Sequence, residues 1–414
     1  MDKAKPFCIA KREVWEAYKR VKANRGAAGI DGQTIKAFEA VLSNNLYRIW
    51  NRMSSGSYLP PPVRRVDLPK GDGQTRPLGI PTVSDRIAQT VVKRYLELIV
   101  EPEFHEDSYG YRPGRSAHHA LWVARQRCWR YDWVLDLDIK GFFDNIDHEL
   151  LMRAVRRHTD CKWVLLYIER WLKAPVSMPD GTVVNPEKGT SQGAVISPVL
   201  ANLFLHYAFD CWMRKNNPDI PFERYADDVI CHCKSESQAH LLKHALEARL
   251  AACKLTLHPQ KTKIVYCKDA NRRGSEPQQR FDFLGYTFRP RRSMNRDGKL
   301  FVSFAPAVSD TAAKAMRQHL RGWRLHHRSD LGLDELAHWI APVVRGWIQY
   351  YGRFYLSALH QALRTLDCFL VRWAQRKYKG LKGHKTRAWQ WLRRLQTRQP
   401  SLFSHWHLAS TVGR

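Results

Sequence analysis

The sequence has no run of about 18 apolar residues, the length a membrane-spanning helix needs, and no amphipathic segment with a segregated lipid-facing side. Its N-terminus, MDKAKPFCIAKREVWEAYKR, lacks the apolar core of a secretory signal and is too mixed in charge for a transit peptide. Cysteine is sparse and odd in number: nine residues, of which only Cys231 and Cys233, flanking His232, stand close together. In a strand the two thiols share one face and His232 points to the other, so the three do not converge on a metal. Small buried thiols in a reducing compartment are expected instead. Internal repeats and long low-complexity tracts are also missing. Acids are scarce, with 39 Asp+Glu against 68 Lys+Arg and a formal net charge of +29. An excess of that size points to a polyanion, with nucleic acid ahead of an anionic membrane surface.

What the chain does contain is enough for more than one core: 414 residues, 44% hydrophobic, with 15 Trp. Three regions stand out. Residues 1–130 mix basic helices with turn-rich extended segments. In GSYLPPPVRRVDLPKGDGQTRPLGIP, Pro and Gly punctuate two short strands around a Gly-Asp-Gly turn. SDRIAQTVVKRYLELIV then offers Ser84 or Asp85 as N-cap, with Ile87, Val91, Val92, Tyr95, Leu98 and Ile99 on one helical face. Residues 131–290 alternate strands and helices, and from about 306 the chain turns helical and rich in Arg and Trp. Only four acids follow Asp310. There Arg317, Arg321, Arg324 and Arg328 recur at helical spacing, and a stripe without interleaved acids is suited to RNA phosphates.

Two acidic patterns carry chemistry. In RYADDVIC, Asp227 and Asp228 fall where strand-like flanks turn back, although adjacent carboxylates repel. In YDWVLDLDIKGFFDNIDHELL, the strand WVLDLDI puts Val134, Asp136 and Asp138 on one face and runs into a turn at Gly141. With that strand beside the YADD hairpin, Asp138 and Asp227 meet, and divalent cations offset their repulsion. Two Mg²⁺ ions about 3.5–4 Å apart then activate a 3′-hydroxyl and stabilise a leaving pyrophosphate. Lys70 and Arg76 on the PKGDGQTRPLGIP hairpin suit a triphosphate. Gln192 between Gly189 and Gly193 suits contact with a base or sugar.

In order along the chain, these pieces resemble the reverse transcriptases encoded by bacterial group II introns, the intron maturases. SYLPPPVRRVDLPKGDGQTRPLGIPTVSDRIAQ looks like their first fingers block and FHEDSYGYRPGRSAHHAL like the second. LDLDIKGFFDNIDH resembles palm motif A, GTSQGAVISPVLANLFLH motif B, RYADDVIC motif C and LHPQKTKIVY motif D. FDFLGYTF is similar to the primer-grip block. HWIAPVVRGWIQYYGRF and KTRAWQWLRRLQ look like the thumb and the maturase (X) domain.

The resemblance implies an α+β right-hand polymerase: N-terminal extension and fingers over 1–130, palm over 131–290, and an all-α thumb and maturase domain over 306–414. It makes Asp138 and Asp227 metal ligands with Asp228 beside them, and adds the Ile139 carbonyl. Phe143, five residues after Asp138, becomes the aromatic gate on the incoming sugar, selecting dNTPs. Lys70 and Arg76 take the triphosphate, Gln192 sits near the nucleotide, and Lys261 or Lys263 protonates the pyrophosphate. Mg²⁺ is the implied cofactor, with Mn²⁺ able to substitute. Implied partners are the intron RNA, an RNA template with a DNA primer, target DNA and dNTPs, in the bacterial cytoplasm and at the nucleoid as a ribonucleoprotein. His405 and His407 have no acid or Cys near them in sequence. That looks like the compact forms associated with IIC-type introns, without an endonuclease domain. The rival expectation is a domesticated enzyme of the same type without an intron, serving DNA repair or phage defence. A splicing factor with a dead polymerase would not need all three acids.

Overall fold

The computed structural model describes residues 5–69, 75–274, 276–295 and 297–408; Lys70 lies outside them. The chain gathers into two compact units that interleave along the sequence. Met1–Ser116, Leu137–Cys231 and His240–Thr262 make the first; Ala117–Asp136, His232–Ala239 and Lys263–Arg414 make the second. Among the described residues no helix is long and apolar enough to cross a membrane.

In the first unit, strands Val63–Pro69 and Thr75–Ile80 pair antiparallel, with Arg64 opposite Ile80 and Leu68 opposite Arg76. The helix that follows, Val83–Val100, is capped by Thr82, whose hydroxyl accepts from the Asp85 amide. Asp85 is thus inside the first turn, and neither it nor Ser84 is the cap. The buried face also differs from the expected stripe. Ile87, Val91 and Val92 are buried together with Leu96 and Val100, while Leu98 is 81% exposed. The helix is enclosed on several sides, and Ala88, Gln89 and Thr90 are buried too, so one apolar stripe does not describe it. The YADD segment forms the expected hairpin: Phe222–Tyr225 pairs antiparallel with Asp228–Cys233, Tyr225 faces Asp228, and Ala226 and Asp227 make the turn.

In the second unit, Trp133–Leu137 pairs antiparallel with Lys263–Tyr266, setting Asp136 opposite Lys263. A three-stranded antiparallel sheet follows, built from Phe281–Phe283, Tyr286–Met294 and Leu300–Val308, with the last strand at an edge. Helices Asp310–Gly322, Leu333–Tyr351, Leu356–Lys377 and Lys385–Arg398 share a core around Leu320, Ile340, Leu370 and the fully buried Trp373.

The arginine stripe does not survive as one helical face. Arg317 and Arg321 ride the helix Asp310–Gly322 over buried Met316 and Leu320, but the helix stops at Gly322. Glycine costs a helix about 1 kcal/mol relative to alanine, and the chain then turns at Arg324, which is left-handed at φ 48°. Arg328 lies beyond a short 3₁₀ turn, bonded to Asp330 at 3.1 Å and set 5.3 Å from the Trp339 ring.

Candidate active site

The turn that carries Asp227 is held from behind by a buried cation. Ala226 adopts φ 58°, a left-handed backbone that costs about 1–2 kcal/mol for a residue with a Cβ. Arg224, two residues earlier and fully buried, donates from Nη1 to the Ala226 carbonyl at 3.2 Å and to Asn202 Oδ1 at 3.0 Å. Its Nε and Nη2 form a fork on Asp210, at 2.7 and 2.6 Å. Asp210 ends a π-helical segment, His206–Asp210, a widening of the helix often found at functional sites. Asn202 in turn donates to the Gly110 carbonyl at 2.7 Å. A Cβ on Gly110 would come within 2.3 Å of the Ala226 nitrogen, so only glycine lets this loop back the turn.

Asp138 is fixed from its other side. Its carbonyl accepts from the His258 amide at 2.7 Å, its amide donates to Thr262 Oγ1 at 3.4 Å, and the Lys140 amide donates to the Thr256 carbonyl at 2.9 Å. With Ile139 bridged to Leu257 between these bonds, the antiparallel alternation turns the Ile139 carbonyl away from the 256–258 segment.

The carboxylates feel one another. Burial raises the Asp227 carboxyl and the charge of Asp138 raises it further, while Arg76 and Arg224 pull it back. Asp228 keeps solvent access. Even so, burial on its protein side, then Asp227 and then Asp138, push its carboxyl up to about 6. Mutually repelling hard oxygen donors are what a divalent cation relieves. Among the described residues no group of three or more His, Cys, Asp or Glu side chains could hold a metal on its own. The donor set therefore fits an ion shared with backbone or substrate oxygens.

Beside these carboxylates a chain of side-chain hydrogen bonds runs from Arg76 through Gln192 to Asp144. Arg76 Nε donates to Gln192 Oε1 at 2.8 Å, and Gln192 Nε2 donates to Asp144 Oδ1 at 3.3 Å. The buried ring of Phe143 packs edge-on against Phe142 at 5.3 Å, and its carbonyl accepts from the Thr190 amide at 2.7 Å. The Gln192 carbonyl receives the Gly79 amide at 2.6 Å. Gly193, at φ 106°, leaves no room for a Cβ, which would sit 2.5 Å from the Gly79 carbonyl oxygen. Arg76, Phe143 and Gln192, named from sequence, are thus brought together with Asp144, and Arg76 acts on Asp227 as well.

Lys261 is exposed, next to the Thr262 that braces Asp138. Arg321 adjoins Arg364 and Arg372 around a pocket of about 440 Å³, and Arg317 adjoins Arg289 and Arg291 around one of about 330 Å³. Cys231, His232 and Cys233 are all buried, and burial pushes the Cys233 thiol up to about 12. None of the nine cysteines forms a disulfide. His405 does have an acid beside it, contrary to the local sequence. Asp367 Oδ1 lies 2.9 Å from both His405 Nε2 and Trp406 Nε1, and the histidine is buried.

Sequence reading missed Arg224 and Asp210, and it missed Gln89. The Gln89 side chain accepts from the Val195 amide at 2.8 Å and the Ile196 amide at 3.3 Å, and donates to Asp85 Oδ2 at 2.9 Å. Asp85 also receives Tyr58 Oη at 2.9 Å and Trp171 Nε1 at 2.7 Å. This buried network fixes the segment just after Gln192. Its one sequence signal is that Asp85 and Gln89, four residues apart, share a face of the helix.

Residues 68–288 match the family described as "Reverse transcriptase (RNA-dependent DNA polymerase)". Residues 313–394 match "Group II intron, maturase-specific domain". Protein YkfC of Escherichia coli is 32% identical over 317 residues, which are 67% of this chain and 80% of YkfC. The group II intron-encoded protein LtrA of Lactococcus lactis is 36% identical over 193 residues, 46% of this chain and 32% of LtrA. A solved telomerase from Candida albicans, in complex with a telomeric RNA fragment, aligns over 90% of this chain and 67% of its own, at 12% identity and a TM-score of 0.46. With the paired carboxylate turn inside the first matched segment and the helical region inside the second, the chain belongs to the reverse transcriptase family and carries a group II intron maturase domain.

Proposed function

We propose that this protein is the reverse transcriptase of a group II intron, which binds its intron RNA, assists its splicing and copies it into DNA. The observation that carries the polymerase half is the Asp227–Asp228 turn next to Asp138, with Arg76 bonded to Gln192 alongside. The maturase-domain match over residues 313–394 supports the RNA half. Reverse transcriptase domains use divalent metal ions, and we assign Mg²⁺ here, with Mn²⁺ able to substitute. Asp138, Asp227 and the Ile139 carbonyl would hold it, with Asp228 adjoining. When bound, the metal supplies charge neutralisation for attack of a 3′-hydroxyl on a nucleoside triphosphate.

The chain's own residues do the rest. Arg76 meets the triphosphate charge. Phe143 fills the space a 2′-hydroxyl would need, so dNTPs are preferred to NTPs. Gln192 orients the nucleotide through a neutral amide, and Asp144 holds that amide in place. Lys261 is the proton donor to the departing pyrophosphate. In splicing the RNA performs the chemistry and the protein contributes phosphate, 2′-hydroxyl and stacking contacts. The test is to isolate the protein from its host in mild salt and sequence the RNA that accompanies it. One dominant structured RNA containing this reading frame is expected. A heterogeneous pool would remove the splicing half and leave a reverse transcriptase without an intron.

A further inference from the structure

A cleft of about 1060 Å³ lies in the second unit; its described lining residues all belong to that unit and include none of the carboxylates or nucleotide-facing residues described above. One wall is Arg125 and Trp129. Another is the edge strand Leu300–Val308 with the strand before it. The Arg125 guanidinium lies 4.5 Å from the Trp129 ring centroid and 5.9 Å from that of Phe354. Its Nε is shielded from solvent and has no hydrogen-bond partner. Burial pulls the guanidinium below its ordinary value, with no anion acting to restore it. A half-exposed guanidinium with one shielded nitrogen and no carboxylate acting on it leaves its open side suited to an anion.

The rest of the wall describes that anion's carrier. Arg292 and Lys299 add positive charge. Among the described lining residues the single carboxylate, Asp269, is already paired with Arg272 at 3.0 Å. Trp129 and Phe301 are large rings left 43% and 42% exposed. Cations interleaved with open aromatic faces are how proteins hold an unpaired strand, whose phosphates take the charge while its bases stack. An added peptide strand fits less well. The edge carbonyls of Val302 and Phe304 already accept from the Ala270 amide and from Trp129 Nε1, both at 2.9 Å, so part of the ladder such a strand would use is taken.

We propose that this cleft binds single-stranded nucleic acid, with a phosphate against Arg125 and bases stacked on Trp129 and Phe301. It is a site additional to the polymerase centre and does not depend on it. The test uses the full-length protein without metal or dNTP, and an oligouridine of about 12 nucleotides carrying 5-iodouridine, irradiated and mapped by mass spectrometry. Crosslinks are expected on Trp129 or Phe301, and their yield should fall about tenfold in Arg125→Gln. Should Arg125→Gln not fold, the surface double variant K299Q/F301S decides: it should lose the Trp129 crosslink to the same degree. Crosslinks confined to other segments, or a yield unchanged in the folded variants, would overturn the assignment. So would displacement by polyglutamate as effective as by unlabelled oligouridine, which would make the occupant an acidic polypeptide. Full protection by uridine monophosphate alone would make it a free nucleotide.

Discussion

Replacing Arg224 by Lys tests whether the buried fork behind the catalytic turn acts on chemistry or only on folding. The arginine makes four contacts: two to Asp210, one to Asn202 and one to the Ala226 carbonyl. Lysine keeps the charge but is a point donor without the planar fork, and it cannot span Asp210 and the far side of the turn together. Two buried acceptors are then left unsatisfied, at about 1–2 kcal/mol each, or about 2–4 kcal/mol in all. Urea unfolding should show a loss of that order. If about half of it reaches the left-handed Ala226 and so the placement of Asp227, kcat falls roughly tenfold, at about 1.36 kcal/mol per decade. The assay is single-nucleotide extension of a saturating RNA–DNA primer well below the unfolding temperature, reading kcat and KM for dNTP separately. The expected result is a lower kcat with KM little changed. A variant destabilised by 2 kcal/mol or more that turns over as fast as wild type would refute the link between this network and the turn.

Three further expectations follow from other parts of the chain. Burial raises the Asp85 carboxyl from 3.8 to about 6 against its hydrogen bonds to Trp171, Tyr58 and Gln89. Because the folded value lies above the unfolded one, the stability Asp85 contributes is complete below about pH 4 and is lost as pH rises through 6. About two units correspond to roughly 3 kcal/mol, so the urea stability of wild type relative to Asp85→Asn should fall by that amount from pH 4 to 7; a constant gap would show the carboxyl is not shifted. Phe143→Ala should open space at the sugar and raise the use of NTPs relative to dNTPs, read as the ratio of kcat/KM values; an unchanged ratio would mean that the buried ring does not face the sugar. Changing Arg317, Arg321, Arg364 and Arg372 to Gln should weaken RNA binding and flatten its salt dependence by up to roughly 0.7 per lost single-strand phosphate contact, whereas an unchanged slope would remove these two basic pockets from the RNA surface.

What the sequence reveals and what it hides divide along the range of the interactions. The YADD hairpin is legible because apolar residues flank a pair of acids at a spacing only a tight turn satisfies, and the 133–137 strand because its face alternation ends at Gly141. Arg76 and Gln192 stand out as a cation on a hairpin and an amide between glycines, and the structure joins them directly. The residues that hold these groups in place are not legible. Arg224 reads as an ordinary strand residue until Asp210, 14 positions away on a π-helical turn, is folded against it. Asp85 looks like a helix cap because its sequence neighbours are capping types, and only the burial of the helix's first half, Val83 and Asp85 to Val92, shows why it lies inside. The arginine stripe failed for a local reason: spacing alone carried it across Gly322, where the helix ends. His405 shows the converse, since its acid partner Asp367 comes from the helix Leu356–Lys377, 38 positions earlier.

The most direct test of the central claim is Asp227→Asn, measured both for primer extension and for binding to a structured RNA at fixed salt. The account predicts that extension disappears with Mg²⁺ and with Mn²⁺ while RNA affinity stays within about twofold, because one isosteric amide replaces one carboxylate in a turn that Arg224 holds independently. Sustained extension, or a collapse of RNA affinity with the fold intact, would contradict the assignment of Asp227 to catalysis.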